Sequence, residues 1–260
     1  MKIPSDAFFL LPPPVIFITV LVTVAAVALL VESLVAPLMA GKRRDALSRI
    51  NTGVLSVSGA LFGLSMTFLA NSVWTTRDEA RESVNAEARA IRVMDIYLES
   101  LTVSSRDGFT RLLTDYGKAV KEEWDDMAEE GAGSPAELAL RSIYAVVVRG
   151  FAEGDQNRML QQRLLGALDS MSIARQQRLS IAQNYVSITQ WILVTGLGMV
   201  LLFVVTASHA NALLARRVAV IAITNPISIK LFVILLNDRP FIGYDAQSPQ
   251  PILQAIAELP

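Results

Sequence analysis

Apolar residues gather in four runs, each long enough to cross a bilayer, because a helix rising 1.5 Å per residue needs about 20 of them to span roughly 30 Å of hydrocarbon. The runs are Val15 to Ala40, Thr52 to Val73, Ile188 to Ser208, and Ala212 or Val218 to Leu236. Pro12, Pro13 and Pro14 stand just before the first, where missing N–H groups cost a helix nothing. That run is longer than a signal-peptide core and no small-x-small cleavage site follows it, so it is expected to remain a span.

Between the second and third runs the pattern changes from continuous to periodic. Phe109, Leu112, Leu113, Tyr116, Val120, Trp124 and Met127 recur at three- and four-residue steps, which places them on one face of a helix. Gly131, Gly133, Ser134 and Pro135 predict a turn, with Ser134 capping the next helix and Pro135 in its first turn. A second break is expected at Gly150 to Asp155. From Asn157, the series Leu160, Leu164, Leu168 and Met171 predicts a helix that continues unbroken into the third span. The chain therefore divides into a first transmembrane pair (1–73), an extramembrane bundle of three or four long helices (74–187), a second transmembrane pair (188–236), and a loop with a short helix (237–260). Pro240, Gly243, Pro249 and Pro251 mark that loop, and Ile252 to Leu259 the short helix.

Composition agrees with this all-α membrane reading. Of 260 residues, 52% are hydrophobic and 18% charged, with a mean hydropathy of +0.43, too apolar for soluble domains of that length. A net charge of −1 gives no footprint for nucleic acid. With no cysteine and one histidine, disulfides, thiolate metal sites, cysteine nucleophiles and a multi-histidine metal centre within one chain are excluded. No metal or cofactor is expected, and no clustered acid, base and nucleophile points to an enzyme.

The short link between the first two spans carries Lys42, Arg43, Arg44 and Arg49 against one acid, and the link between the last two carries Arg216 and Arg217. Both links lie on one side of four spans, and the positive-inside rule puts that side in the cytoplasm. The bundle and both termini are then expected outside it.

Within the second span, Thr52, Ser56, Gly59, Gly63, Thr67 and Asn71 fall at steps of three or four and form one small, polar stripe. Gly59 and Gly63 make a G-x-x-x-G, so the stripe reads either as a helix-packing seam or, if several copies surround an axis, as a pore lining. In the second case Phe62 and Met66, one step round the helix, are expected to form an apolar constriction. Two charges fall inside spans: Glu32, and Lys230, at about 12 Å and about 18 Å from the same membrane face. A buried charge costs about 2.5–3.5 kcal/mol, so the two are expected to pair, unless both snorkel to the interface. Asn225-Pro226 implies a kink in the fourth span. The run Glu122 to Glu130 lacks the spacing of a calcium loop and is expected to be a solvated face.

Two segments resemble a known family. Phe68-Leu-Ala-Asn71-Ser-Val-Trp74 with Arg77, Glu79 and Arg81 is similar to the end of the second helix of bestrophin-type anion channels. Asp238-Arg-Pro240-Phe241-Ile-Gly243 resembles the Pro-Phe-Gly segment after their last helix, although no acidic string follows and no calcium site carries over. A closer resemblance, over nearly the whole chain, is to bacterial "bestrophin-like domain" membrane proteins, through the basic first link, Glu87-Ala88-Arg-Ala90, Arg175 and Arg178, and Asp238 to Gly243 with Ser248-Pro249. The bestrophin resemblance implies a pentamer with its bundle in the cytoplasm, opposite to the orientation the basic links give.

Stripe and resemblance together lead to the expectation of a homo-oligomeric ion channel of the bacterial inner membrane, its partners being the bilayer, its own copies and inorganic ions. The second span would line the pore, with Arg77 and Arg81 at its bundle-side mouth favouring anions. The competing expectation is a membrane-anchored signalling or scaffold protein whose bundle binds a partner. It would need a bundle face apolar beyond what the bundle's own core requires.

Overall fold

The computed structural model describes residues 6–39, 47, 52–127, 134–149 and 155–259. The basic first link and the breaks at Gly131 to Gly133 and Gly150 to Gly154 lie outside them, as do Glu129 and Glu130. The described residues form helices and no strand. In chain order these are α1 (Asp6–Phe9), α2 (Pro13–Val35), a 3-10 turn (Ala36–Met39), α3 (Thr52–Leu98), α4 (Val103–Asp126), α5 (Pro135–Arg149), α6 (Asp155–Gln183), α7 (Ile188–Ser208), α8 (Leu213–Asn237) and α9 (Gln250–Ala257).

Four of them, α2, α3, α7 and α8, are long and apolar enough to cross a membrane. The first begins at the expected prolines, with Pro12 as N-cap. It gives way to the 3-10 turn containing Pro37, which has no N–H to continue the ladder. The fourth runs as one helix with Pro226 inside it.

The chain separates into two compact units, Met1–Thr75 with Tyr185–Ala246, and Thr76–Asn184 with Gln247–Pro260. In the first, α2 packs on α7 and α8. Its core joins Ile16, Val20 and Val24 of α2 to Phe62, Met66, Leu69 and Val73 of α3, Val194, Leu201 and Val205 of α7, and Ile227 and Ile234 of α8. The opposite faces of these helices stay apolar and exposed, as at Ile18, Val22, Ile192, Val200, Val218 and Ile221. Apolar residues on both faces are what a bilayer-embedded helix requires.

The second unit holds the later part of α3 with α4, α5, α6 and α9. Rows at three- and four-residue steps supply its core: Ala80, Val84, Ala88, Ile91, Met94 and Leu98 from α3, and Phe109, Leu113, Tyr116 and Val120 from α4. At the start of α5, the Ser134 hydroxyl accepts from the Glu137 N–H at 3.2 Å, the cap its position predicts.

One junction departs from the sequence reading. The helix expected to run from Asn157 into the third span ends at Gln183, and a new one begins at Ile188. Ser187 caps it with a capping box: its hydroxyl accepts from the Gln190 N–H at 3.3 Å, while the Gln190 side chain accepts from the Ser187 N–H at 3.1 Å. The Ser-x-x-Gln spacing outcompetes helical continuation there.

Candidate functional site

The first half of α3 divides around its axis at roughly 100° per residue. Phe62, Met66, Leu69 and Val73 face the core of their own protomer and are buried. Ser56, Thr67 and Asn71 are exposed and Gly59 and Gly63 half-buried. A Cβ built on Gly63 would have nothing within 4 Å, and one on Gly59 would reach only Leu201, at 4.0 Å. Beside this polar strip lies an exposed apolar one, Val57, Leu61, Leu64 and Phe68. Thr52 carries no description beyond its place in the helix.

This geometry corrects the constriction. Phe62 is 7% exposed and Met66 fully buried, and the Phe62 ring lies 3.3 Å from where a Cβ on Gly198 would stand. Both side chains fill the contact between α3 and its neighbours within the protomer. Within the polar strip, the Thr67 hydroxyl donates to the Gly63 carbonyl at 2.9 Å, which satisfies its hydrogen and leaves its oxygen free to accept. Arg77 is half-buried and Arg81 exposed.

The intramembrane charge pair is also corrected. Glu32 pairs with Arg216, whose Nε donates to Glu32 Oε1 at 2.8 Å, both side chains being about four-fifths buried. Lys230 is exposed and its pair with Glu32 does not form. The reason is antiparallel packing: Glu32 lies three residues before the end of α2 and Arg216 three after the start of α8, whereas Lys230 is a further 14 residues, about 21 Å, along the helix. Glu32→Gln and Arg216→Gln are each expected to cost about 1–2 kcal/mol in thermal unfolding, with the double variant costing less than their sum. Glu32→Gln combined with Lys230→Met should be additive.

The second unit contains a buried polar cluster that sequence reasoning did not anticipate. Arg178 is fully buried. Its Nε donates to Glu87 Oε2 at 2.9 Å, its Nη2 to Glu123 Oε1 at 3.0 Å, and its Nη1 to Met127 Sδ at 3.0 Å. The guanidinium lies 4.8 Å from the Trp124 ring centroid, a cation–π contact. Arg175 donates through Nη2 to Glu123 Oε2 and to Ser134 Oγ, and the Tyr116 hydroxyl donates to Glu87. Two guanidiniums and two carboxylates thus balance. Burial disfavours the charge on Arg178, but Glu87, with Glu123 behind it, more than offsets that and raises its pKa. Burial and then Glu87 hold the Tyr116 phenol protonated well above its usual pKa.

Glu123 is therefore not part of a solvated acidic face. It lies three residues after Val120 and four before Met127, in phase with the core row of α4, and that phase is the signal in the sequence. Among the described residues no group of carboxylates and histidines is arranged to hold a metal.

Four apolar helices around a shared core, one of them exposing a polar strip, together with a helical second unit, define an all-α integral membrane protein. A family model described as "Bestrophin-like domain" matches residues 22–252. The chain belongs to the bestrophin-like family. Its fold is similar to that of a mutant of a bacterial bestrophin homolog from Klebsiella pneumoniae, with a TM-score of 0.65 at 13% identity, covering 92% of this chain and 97% of that one. No curated protein matches the sequence.

Proposed function

We propose that this protein is a homo-oligomeric ion channel of the bacterial inner membrane in which the polar strip of α3, Ser56, Gly59, Gly63, Thr67 and Asn71, faces a shared aqueous axis. The observation that carries the reading is the exposure of that strip within the protomer. Polar side chains facing lipid are costly, and copies arranged around an axis give this strip water while Val57 and Leu61, farther round the helix, meet lipid or a neighbouring copy. Family membership and the likeness to a bestrophin homolog support a channel and, by resemblance, a pentamer. Leu64 and Phe68, exposed and next to the strip, replace Phe62 and Met66 as candidates for an apolar constriction. Arg77 and Arg81 lean the selectivity of the adjoining mouth toward anions, diluted by Asp78, Glu79 and Glu82.

Purified protein counted in detergent and reconstituted in liposomes tests this. An oligomer that passes ions is expected, and a monomer that passes none would overturn it. Orientation follows the basic links: a periplasm-only reporter enzyme fused after Pro260 should be active and one at Arg44 silent. The reverse would put the bundle in the cytoplasm, as the bestrophin resemblance implies.

A second reading, a scaffold whose bundle binds a partner, is favoured by exposed Leu138, Val148, Met159 and Ile173 in the second unit. Contacts between copies account for the same residues, so a stable monomer would favour the scaffold.

A further inference from the structure

The break between α6 and α7 has two supports besides the Ser187 capping box, and both come from the residues that follow α8. The Asp238 carboxylate accepts the Val186 N–H through Oδ1 at 3.0 Å. Arg239, next in the chain, lays its guanidinium over the Tyr185 ring, 4.1 Å from the centroid, and over Phe9 of α1 at 5.6 Å. Asp238, Arg239, Tyr185, Val186 and Phe9 all belong to the first unit.

Asp238 is poorly provided for as a charge. Its side chain is buried, and among the described residues the Val186 N–H is the carboxylate's only hydrogen bond. An ionised carboxylate offers about four acceptor sites, and a charge taken out of water without a partner is costly. Burial raises the Asp238 pKa above the usual carboxylate value, and neither the Val186 N–H nor the nearby Arg239 charge fully offsets it. No other cation is placed to do so. In the first unit α3 and α7 carry no charged side chain, α2 carries only Glu32, bonded to Arg216 at its far end, and Lys230 lies eight residues back in α8. The remaining acids of this end, Asp6 of α1 and Asp245 of the loop, add repulsion rather than relief. Tyr185 is the titratable group of the break itself.

We propose that Asp238 makes the break between α6 and α7 a proton-sensitive hinge, seated when the carboxyl is neutral and loosened when it is ionised. A neutral carboxyl still accepts the Val186 N–H through its carbonyl oxygen, so that bond survives protonation while the burial cost of the charge disappears. Linkage fixes the direction with pH. The seated carboxyl binds its proton more tightly than a solvated one, so the stabilisation is full below the ordinary carboxylate range and is lost as pH rises through the raised value. The hinge does not depend on ion conduction.

Residue-resolved hydrogen exchange of the full-length protein in detergent tests this, with each rate divided by the intrinsic rate at the same pH. In the wild type, protection of the Val186 amide should rise about threefold or more between about pH 7.5 and about pH 4.5. Asp238→Asn keeps the acceptor and removes the charge, so its Val186 amide should be about as protected at both pH values as the wild type is in acid. Wild-type protection at Val186 that stays flat or falls in acid overturns the proposal, as does a rise in acid that persists in Asp238→Asn. The wild-type profile is decisive alone, so the test holds even where the variant does not fold.

Discussion

Arg178→Met is expected to destabilise the second unit by about 3–5 kcal/mol, the range for breaking a buried ion network from one side. The change leaves the carboxylates of Glu87 and Glu123 buried without their shared cation and removes the cation from the Trp124 face. Arg178→Lys keeps the charge but replaces a planar fork with a point charge, so it should cost less, though still measurably. Adding Glu87→Gln to Arg178→Met should recover part of the loss by removing one orphaned charge. Thermal or denaturant unfolding of the purified protein reads all three. A loss for Arg178→Met within the range of ordinary surface substitutions would show that the cluster is hydrated rather than buried.

Gly63→Leu should leave the subunit count unchanged and cut ion flux about tenfold or more. A Cβ there meets nothing within 4 Å in the protomer, so the substitution starts into open space and folding of the single chain is expected to be spared. In a pore the added isobutyl group narrows the lumen. In a packing seam it forces the neighbouring helix away, and assembly fails. Thr67→Asp extends the comparison: a ring of carboxylates in water avoids most of the burial cost and should shift conduction toward cations. Loss of the oligomer in both variants would place the strip at a helix contact.

Hydropathy alone shows the four spans, because run length and apolarity are local properties. The polar strip of α3 is equally local. Its opposite face is legible too, since Phe62, Met66, Leu69 and Val73 repeat at four, three and four residues, the spacing of a core row. Weighing that row against the strip assigns Phe62 and Met66 to the core. The charge cluster follows the same rule: Leu164, Leu168, Met171, Arg175 and Arg178 form one row, as do Tyr116, Val120, Glu123 and Met127. Charged residues in phase with a core row are buried, and burial obliges them to find partners. Which partners they find is not local. Glu32 meets Arg216 because α2 and α8 pack antiparallel from matching ends, a pairing that depth counts along separate helices do not deliver.

Thiol labelling decides whether the Ser56-to-Asn71 strip faces a shared aqueous axis, because the chain has no cysteine of its own. Thr67→Cys and Val57→Cys place single thiols on the polar and apolar exposed strips of one helix. In liposomes, a charged, water-soluble thiol reagent should block flux through Thr67→Cys and leave Val57→Cys unaffected. Block at Val57→Cys with none at Thr67→Cys would turn the helix the other way and remove the Ser56-to-Asn71 strip from the pore.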